Sequence, residues 1–533
     1  MDKSEAITEN GIAQFTYTAA AGGEDTANIA SGAANVPIAI VVNMPIPAHD
    51  VYVSKDGNDE NDGSEETPVA TIAKAIEIAS SDAGTGKIFI NAGTYTETGF
   101  TIAKDMVITG VGDVIIDANN ETAKMFTISE GVASFALNNV AITKANQNYG
   151  AVLYNYYTAD VVLNNVNITE SYANGWSGSA LIVSKGKLTI KDSKISNNGP
   201  ISALIYNNGG TLIINNTAFE NIAANTSTSC NGAIESTGNT VVVIENSNFT
   251  NIGAVRGAVY SGASDTGSLT IIGSNFENCT ALLDGNNFGY GGAVHSQVAL
   301  TIDKSTFKNS KSYRDGAAVY VTKAATITNS VFMGGDSQDG DTAEIYATGD
   351  LTLNNNILLK SSDDKYLVKT GSGTVDAKNN YWGSNDPSAL VSGFNLENWV
   401  IMNVEPASAE GAIGQAVEFN VDFKHTKNAE GTISDLSGTL PQELTVYAES
   451  ANGTIGESPI TTTDLAGKII FTPEFSGENI VNIYTDASNK VPVTVIVAEP
   501  YTGPIYVSKD GSDSNNGAED APVASIAKAV ELA

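Results

Sequence analysis

Gly150-Ala151-Val152, Gly232-Ala233-Ile234, Gly257-Ala258-Val259 and Gly292-Ala293-Val294 are one phrase written four times. Looser copies bring the phrase's alanine to 151, 180, 203, 233, 258, 293, 318 and 343, at spacings of 23 to 35 residues. An apolar anchor follows each alanine after 14 to 18 residues: Ile168, Ile195, Phe219, Phe249, Phe276, Phe307, Phe332 and Ile357. Between them stand short runs of alternating polarity, Leu188-Thr189-Ile190, Leu269-Thr270-Ile271, Leu300-Thr301-Ile302 and Leu351-Thr352-Leu353. A fixed period of this size, built from strand-like runs with no helical periodicity between them, specifies a solenoid. The expected fold is all-β, a right-handed parallel β-helix in which each coil adds about 4.8 Å of height.

From alanine to anchor the distance is nearly constant, whereas from anchor to the next alanine it runs from 8 to 17 residues. Insertions therefore fall at one corner of every coil, and the long loops should stack on one face. An asparagine recurs two residues after the anchor, at Asn197, Asn221, Asn251, Asn278 and Asn309. Pointing inward at a turn, these amides would hydrogen-bond their copies above and below.

A second repetition spans the ends. Val51 to Ala79 returns at Ile505 to Ala533, without gaps, at an offset of 454 residues. The chain is thus expected to be a little over one period of a tandem array. Within residues 51–79, Ala70 to Ala79 is expected to form an amphipathic helix with Ile72, Ala73, Ile76 and Ala79 on one face, an N-terminal cap for the solenoid. The motif Lys378 to Pro387 holds Tyr381-Trp382, two large rings to seal the lower end. The resulting division is 1–46, the C-terminal part of a truncated immunoglobulin-like domain; 47–393, the β-helix with its caps at 51–79 and 378–387; 394–500, an immunoglobulin-like sandwich of about seven strands; and 501–533, the start of a second β-helix unit. Residues 1–46 are read as strands at Gln14 to Tyr17 and Val36 to Val42 with a polar segment between.

A net charge of −33 sets the sequence against nucleic acid and anionic lipid as partners. No stretch is long and apolar enough to cross a membrane, and Met1-Asp2-Lys3-Ser4 does not open a signal peptide. Cys230 and Cys279 fall two coils apart by the repeat phase. That is about 10 Å, beyond the usual span of a disulfide. Sequons at Asn120, Asn167, Asn215, Asn225, Asn248, Asn278 and Asn452 matter only for an exported protein.

Few residues suggest chemistry. Asp56, Asn58, Glu60 and Asp62 put oxygen atoms at alternate positions of a loop, as calcium requires. The twin loop has Asp510, Ser512, Ser514 and Asn516 there and keeps its glycines, which favours turn formation over metal binding. The corner loops hold Tyr172 and Trp176, then Asp284, Phe288 and Tyr290, then Tyr313, Arg314 and Asp315. Rings beside carboxylates and an arginine suit a sugar site, unless the rings pack beneath their own loops. No His/Cys metal spacing, phosphate loop or triad motif is present, and no catalytic residue set stands out.

Tyr52-Val53-Ser54 with Gly57, Asp59, Asn61, Gly63, Pro68 and Thr71-Ile72 resembles the opening motif of pectate-lyase-like parallel β-helix proteins. Its company, the Gly-Gly-Ala-Val and Phe-x-x-Asn repeats and Asn379-Asn380-Tyr381-Trp382-Gly383, is similar to the adhesin-like surface proteins of methanogenic archaea. The resemblance implies an exported cell-surface protein in which β-helix blocks alternate with immunoglobulin-like spacers and bind a glycan or a surface protein of another cell. It also leaves room for a polysaccharide lyase or glycosidase, or for a stalk without ligand.

Overall fold

The structure, a computed structural model, describes residues 23–31, 34–42, 49–81, 84–173, 179–199, 203–222, 231–262, 264–283, 289–338, 343–360, 366–499 and 501–533. It is a parallel β-solenoid joined to a two-sheet unit. One face of the solenoid is a twelve-stranded parallel sheet running from Phe100–Ile102 to Val391–Ser392. The other faces carry the Leu-Thr-Ile runs and the anchor strands. Leu188, Leu212, Val242, Leu269 and Leu300 stand in register from coil to coil, as do Ile190, Ile214, Ile244, Ile271 and Ile302. Identical neighbours in a parallel ladder put like on like, so the phenylalanine anchors stack. Phe219, Phe249, Phe276, Phe307 and Phe332 are fully buried, with successive ring centroids 4.6 to 4.9 Å apart. The last anchor is Leu358, which faces Phe332, and not Ile357, which faces Val331.

The asparagine ladder exists, but on the outside. Asn197, Asn221, Asn251, Asn278 and Asn309 all have φ between 52° and 55°, a left-handed conformation that asparagine tolerates. That backbone turns each amide outward. Asn221, Asn251, Asn278 and Asn309 each donate from Nδ2 to the Oδ1 one coil earlier, at 3.1, 3.0, 3.0 and 3.3 Å. The inward polar ladder is made of hydroxyls instead. The backbone N–H groups of Thr217, Ser247, Ser274 and Ser305 donate to the side chains of Ser247, Ser274, Ser305 and Ser330, at 3.1 to 3.2 Å. Amides buried at the corner are thereby satisfied without water.

Helix α1 (Ile72–Ser80) packs against the strands Gly84–Thr96, His49–Val53 and Phe100–Ile102. Ala75 takes the buried place expected for Ala73, beside Ile72, Ile76 and Ala79. The start of the helix is held from two sides. Asp59 accepts from the N–H groups of Ala70 and Thr71 (2.9 Å each) and from the Thr71 hydroxyl (2.8 Å). Glu97 accepts from the N–H groups of Ile72 and Ala73, both at 3.0 Å. Asp59→Ala is expected to lower stability by about 1–2 kcal/mol, read as a shift in the urea midpoint of α1 by hydrogen exchange; an unchanged midpoint would refute the assignment.

Tyr381 and Trp382 do not both seal the solenoid. Adjacent residues on a strand point to opposite sides. Trp382 enters the solenoid core, and Tyr381 enters the core of the following unit, edge-on to Phe423 at 4.9 Å with its hydroxyl 2.6 Å from Thr485. That unit consists of two five-stranded sheets, one of them ordered Asn398–Glu405, Val417–Asn428, Ala466–Pro473, Gly453–Ile455, with Ile433–Asp435 also paired to Val417–Asn428. Its first strand stacks directly on the last coil through the parallel bridges Ile357 to Tyr381 and Tyr381 to Val400. Near the N-terminus, Gly23–Ser31 and Ala34–Val42 pair antiparallel, so the stretch read as a polar connection is itself a strand; Gln14 to Tyr17 lie outside the described residues.

Candidate functional site

One column of residues runs from strand to strand along the face of the twelve-stranded sheet that points away from the core. Tyr154, Val183, Tyr206, Glu235, Tyr260, His295, Tyr320, Tyr346 and Lys369 occupy successive strands in direct register. The register thus puts Tyr154, seven strands earlier in the sheet, in the same column as Tyr346. Tyr154, Tyr206 and Tyr346 stand three residues after the phrase's alanine and Tyr260 and Tyr320 two after it, so only the coil-to-coil pairing shows that these residues line up.

Cations lie over the rings. Lys124 Nζ is 3.6 Å from the Tyr154 ring centre and Lys185 Nζ is 3.4 Å from that of Tyr156. Arg256, Arg314 and Lys369 approach Tyr260, Tyr290 and Tyr346 at 4.7, 5.5 and 5.4 Å. Arg256 and Arg314 are the only arginines in the sequence, so this acidic chain places both on one face. Tyr320 and Tyr346 stack at 5.5 Å with planes 5° apart, and Tyr290 lies 4.6 Å from Tyr320. Each cation is held by a ring quadrupole, a contact worth about 0.5–2 kcal/mol depending on exposure.

His295 sits among these rings, edge-on to Tyr260 and Tyr320 at 5.0 Å each and to Tyr290 at 6.0 Å. Both its nitrogens are buried without a hydrogen-bond partner among the described residues. Burial, helped by Arg256, pushes its pKa down to about 3. Glu235, one strand from Tyr260, is raised above the ordinary glutamate range by burial, against the opposing pull of Asn231 and Arg256. The Tyr320 hydroxyl is pushed up to about 12 by burial and then by its tyrosine neighbours and Asp315.

Of the corner-loop residues, Tyr290, Arg314 and Asp315 come together here. Arg314 Nη1 donates to the Tyr290 hydroxyl at 3.2 Å, and Asp315 is 3.8 Å from Lys369 Nζ. Tyr313 is adjacent and exposed. Tyr172 is exposed on a much earlier coil, where its backbone bridges to Asn146. Trp176, Asp284, Phe288 and Cys230 lie outside the described residues, and Cys279 is free and buried.

The loop with Asp56, Asn58, Glu60 and Asp62 is built by turn hydrogen bonds. Asn58 Oδ1 accepts from the Glu60 N–H at 3.1 Å. Asp62 Oδ1 accepts from the Ser64 N–H at 3.0 Å and from the Thr67 hydroxyl at 2.6 Å. Among the described residues, no group of three or more His, Cys, Asp or Glu side chains is gathered to hold a metal ion, and no helix is long and apolar enough to cross a membrane.

No family model and no curated protein sequence matches the chain. Similar solved structures include a complex of XylC with xylose, at 9% identity and a TM-score of 0.34 over 70% of this chain and 89% of that one. They also include a rhamnogalacturonan lyase, at 11% identity and a TM-score of 0.19 over 62% of this chain and 87% of that one. Similarity this loose bears on neither ligand nor reaction.

Proposed function

We propose that this chain is a segment of a repetitive, extracellular adhesin-like surface protein. In this reading the solenoid is a stiff rod with α1 as its N-terminal cap. The two-sheet unit is an immunoglobulin-like spacer, and the tyrosine column is a binding face for glycan. The supporting observation is the column itself, in which Tyr154, Tyr260 and Tyr346 each carry a cation over the ring. Ring faces stack on the apolar faces of sugars, and polar groups fix the hydroxyls. The gathering of both arginines favours sugars that carry acidic groups. Repeated units would add reach and multivalency.

One observation favours a second reading, a polysaccharide lyase or glycosidase. Glu235 is a buried carboxyl with a raised pKa beside Arg256, and such a group suits general acid chemistry. A glycan array probed with the full chain separates the readings. Binding without product release is expected, weakened about tenfold by Tyr346→Ala, the loss of one stacking contact of about 1.4 kcal/mol. Release of reducing or unsaturated sugar would establish the enzyme instead, and silence across acidic and neutral glycans would leave a stalk. Running the array with and without calcium tests whether the Asp56 to Asp62 loop contributes a metal.

A further inference from the structure

The tyrosine column is open at its two ends and closed in its middle. Glu235, Tyr260 and His295 are 4%, 6% and 2% exposed. At one end Tyr156, stacked on Tyr154 at 5.8 Å, is 50% exposed. At the other, Tyr346 and Lys369 are partly exposed. The pairing from Tyr154 to Tyr346 takes seven strand steps. At about 4.8 Å a step, the two open ends lie about 34 Å apart.

The first end carries charge that the chain leaves unneutralised. Lys124 and Lys185 lie over the Tyr154 and Tyr156 rings, and among the described residues neither makes an ion pair. With 60 acidic residues against 27 basic ones, a place where two ammoniums meet rings and no carboxylate is set apart from the rest of the surface. Burial holds Lys124 below the ordinary lysine value, so an anion bound there replaces hydration already lost. The second end is closer to neutral, because Lys369 lies 3.8 Å from Asp315 as well as 5.4 Å from the Tyr346 ring centre.

Either end alone offers a weak hold, a ring or two with a cation. One sheet carries both and fixes the distance between them. A ligand held at one end therefore meets the other at a high effective concentration, with no flexible linker to order. A single sugar reaches one end only.

We propose that the ligand is a chain glycan laid along the solenoid axis and held at both ends at once, with an acidic sugar against Lys124 and Lys185. It rests on the glycan reading above and adds to it a minimum length and a direction.

The test titrates the full chain with hyaluronan and alginate fragments of four and of fourteen sugars, the first too short for the span and the second longer than it. Counting the registers of one short motif along the longer fragment supplies about tenfold; simultaneous engagement should raise the preference for length to at least 1,000-fold. Lys124→Met with Lys185→Met, or Tyr346→Ala with Lys369→Met, should each return it to about tenfold. Each double variant keeps the other end, so its continued binding of the short fragments reports an intact fold. A preference of tenfold or less in the parent chain, or a large one that survives either double variant, would overturn the proposal and leave the glycan reading standing. No binding of either polymer at either length would overturn both.

Discussion

Phe276→Ala is expected to lower the stability of the solenoid by about 4 kcal/mol. Phe276 is fully buried between Phe249 and Phe307, with ring centroids at 4.6 and 4.9 Å and planes within 3° and 5°. Truncation removes the ring's transfer free energy and breaks two stacks, each worth about 0.5–1.5 kcal/mol beyond area. It also leaves a cavity that cannot close. The strands on either side are pinned in register, Asn275 to Asn248 and Asn275 to Thr306, so neither neighbour can move along the axis to fill the gap. Stability in a solenoid is a sum of coil and interface terms, and one weak interface affects both adjoining coils. Hydrogen exchange should therefore show the loss in the strands around Phe249, Phe276 and Phe307 first, with a lower urea midpoint overall. Phe276→Leu, which keeps most of the volume, should cost less than half as much. A loss below about 1 kcal/mol for the alanine variant would mean that the stack is not a principal source of cohesion.

The second large effect is a pH dependence. His295→Phe is expected to retain about 4 kcal/mol that the parent chain loses between neutral pH and pH 3. The folded pKa of His295 is about 3, below the 6.5 of an ordinary histidine. As pH falls through 6.5 the unfolded chain takes up a proton that the folded chain refuses, so stability drops until about pH 3 is reached. The groups that face the ring explain the refusal. Tyr260, Tyr290 and Tyr320 offer ring edges and faces without accepting a hydrogen bond from it, and Arg256 repels a second cation. Glu235 acts with the opposite sign. Its raised folded pKa favours the folded state at low pH, and that contribution is lost as pH rises above the ordinary glutamate value. Surface carboxylates titrate in both chains alike, so the difference between the two urea-midpoint profiles isolates position 295. Parallel profiles from pH 7 to 3 would show that the imidazole is not sequestered.

What the sequence made legible follows from what a parallel ladder repeats. The period, the anchors from Ile168 to Phe332 and the helix after Thr71 could be read because each is a local pattern of burial. Features that depend on pairing between coils could not. The alanine phrase slips against the true register: Ala203 faces Gly232, and Ile345 faces Val319, so Glu344 rather than Ala343 continues the column. A one-residue slip changes which side chains share a face, and this is why Ile357 was read as an anchor in place of Leu358. The asparagines were recognised as a ladder, but their direction depends on a left-handed φ that composition does not specify. Of the site, Tyr290, Arg314 and Asp315 were found as loop residues. His295, Glu235, Tyr320 and Tyr346 were missed because a lone histidine or tyrosine in a strand acquires meaning only from neighbours some 25 residues away.

The junction at Tyr381 has a mechanical consequence. Solenoid and sandwich share a ladder and an interlocked pair of rings, with Trp399 Nε1 donating to the Asn385 carbonyl at 3.1 Å and the Met402 N–H to the Asn385 side chain at 2.7 Å. A joint without a hinge fixes azimuth as well as length. The tyrosine column therefore leaves the sandwich at one set angle, and a sideways load on the solenoid arrives at the sandwich as torque. Under tension such a molecule acts as a lever with a clamped end rather than as beads on a string.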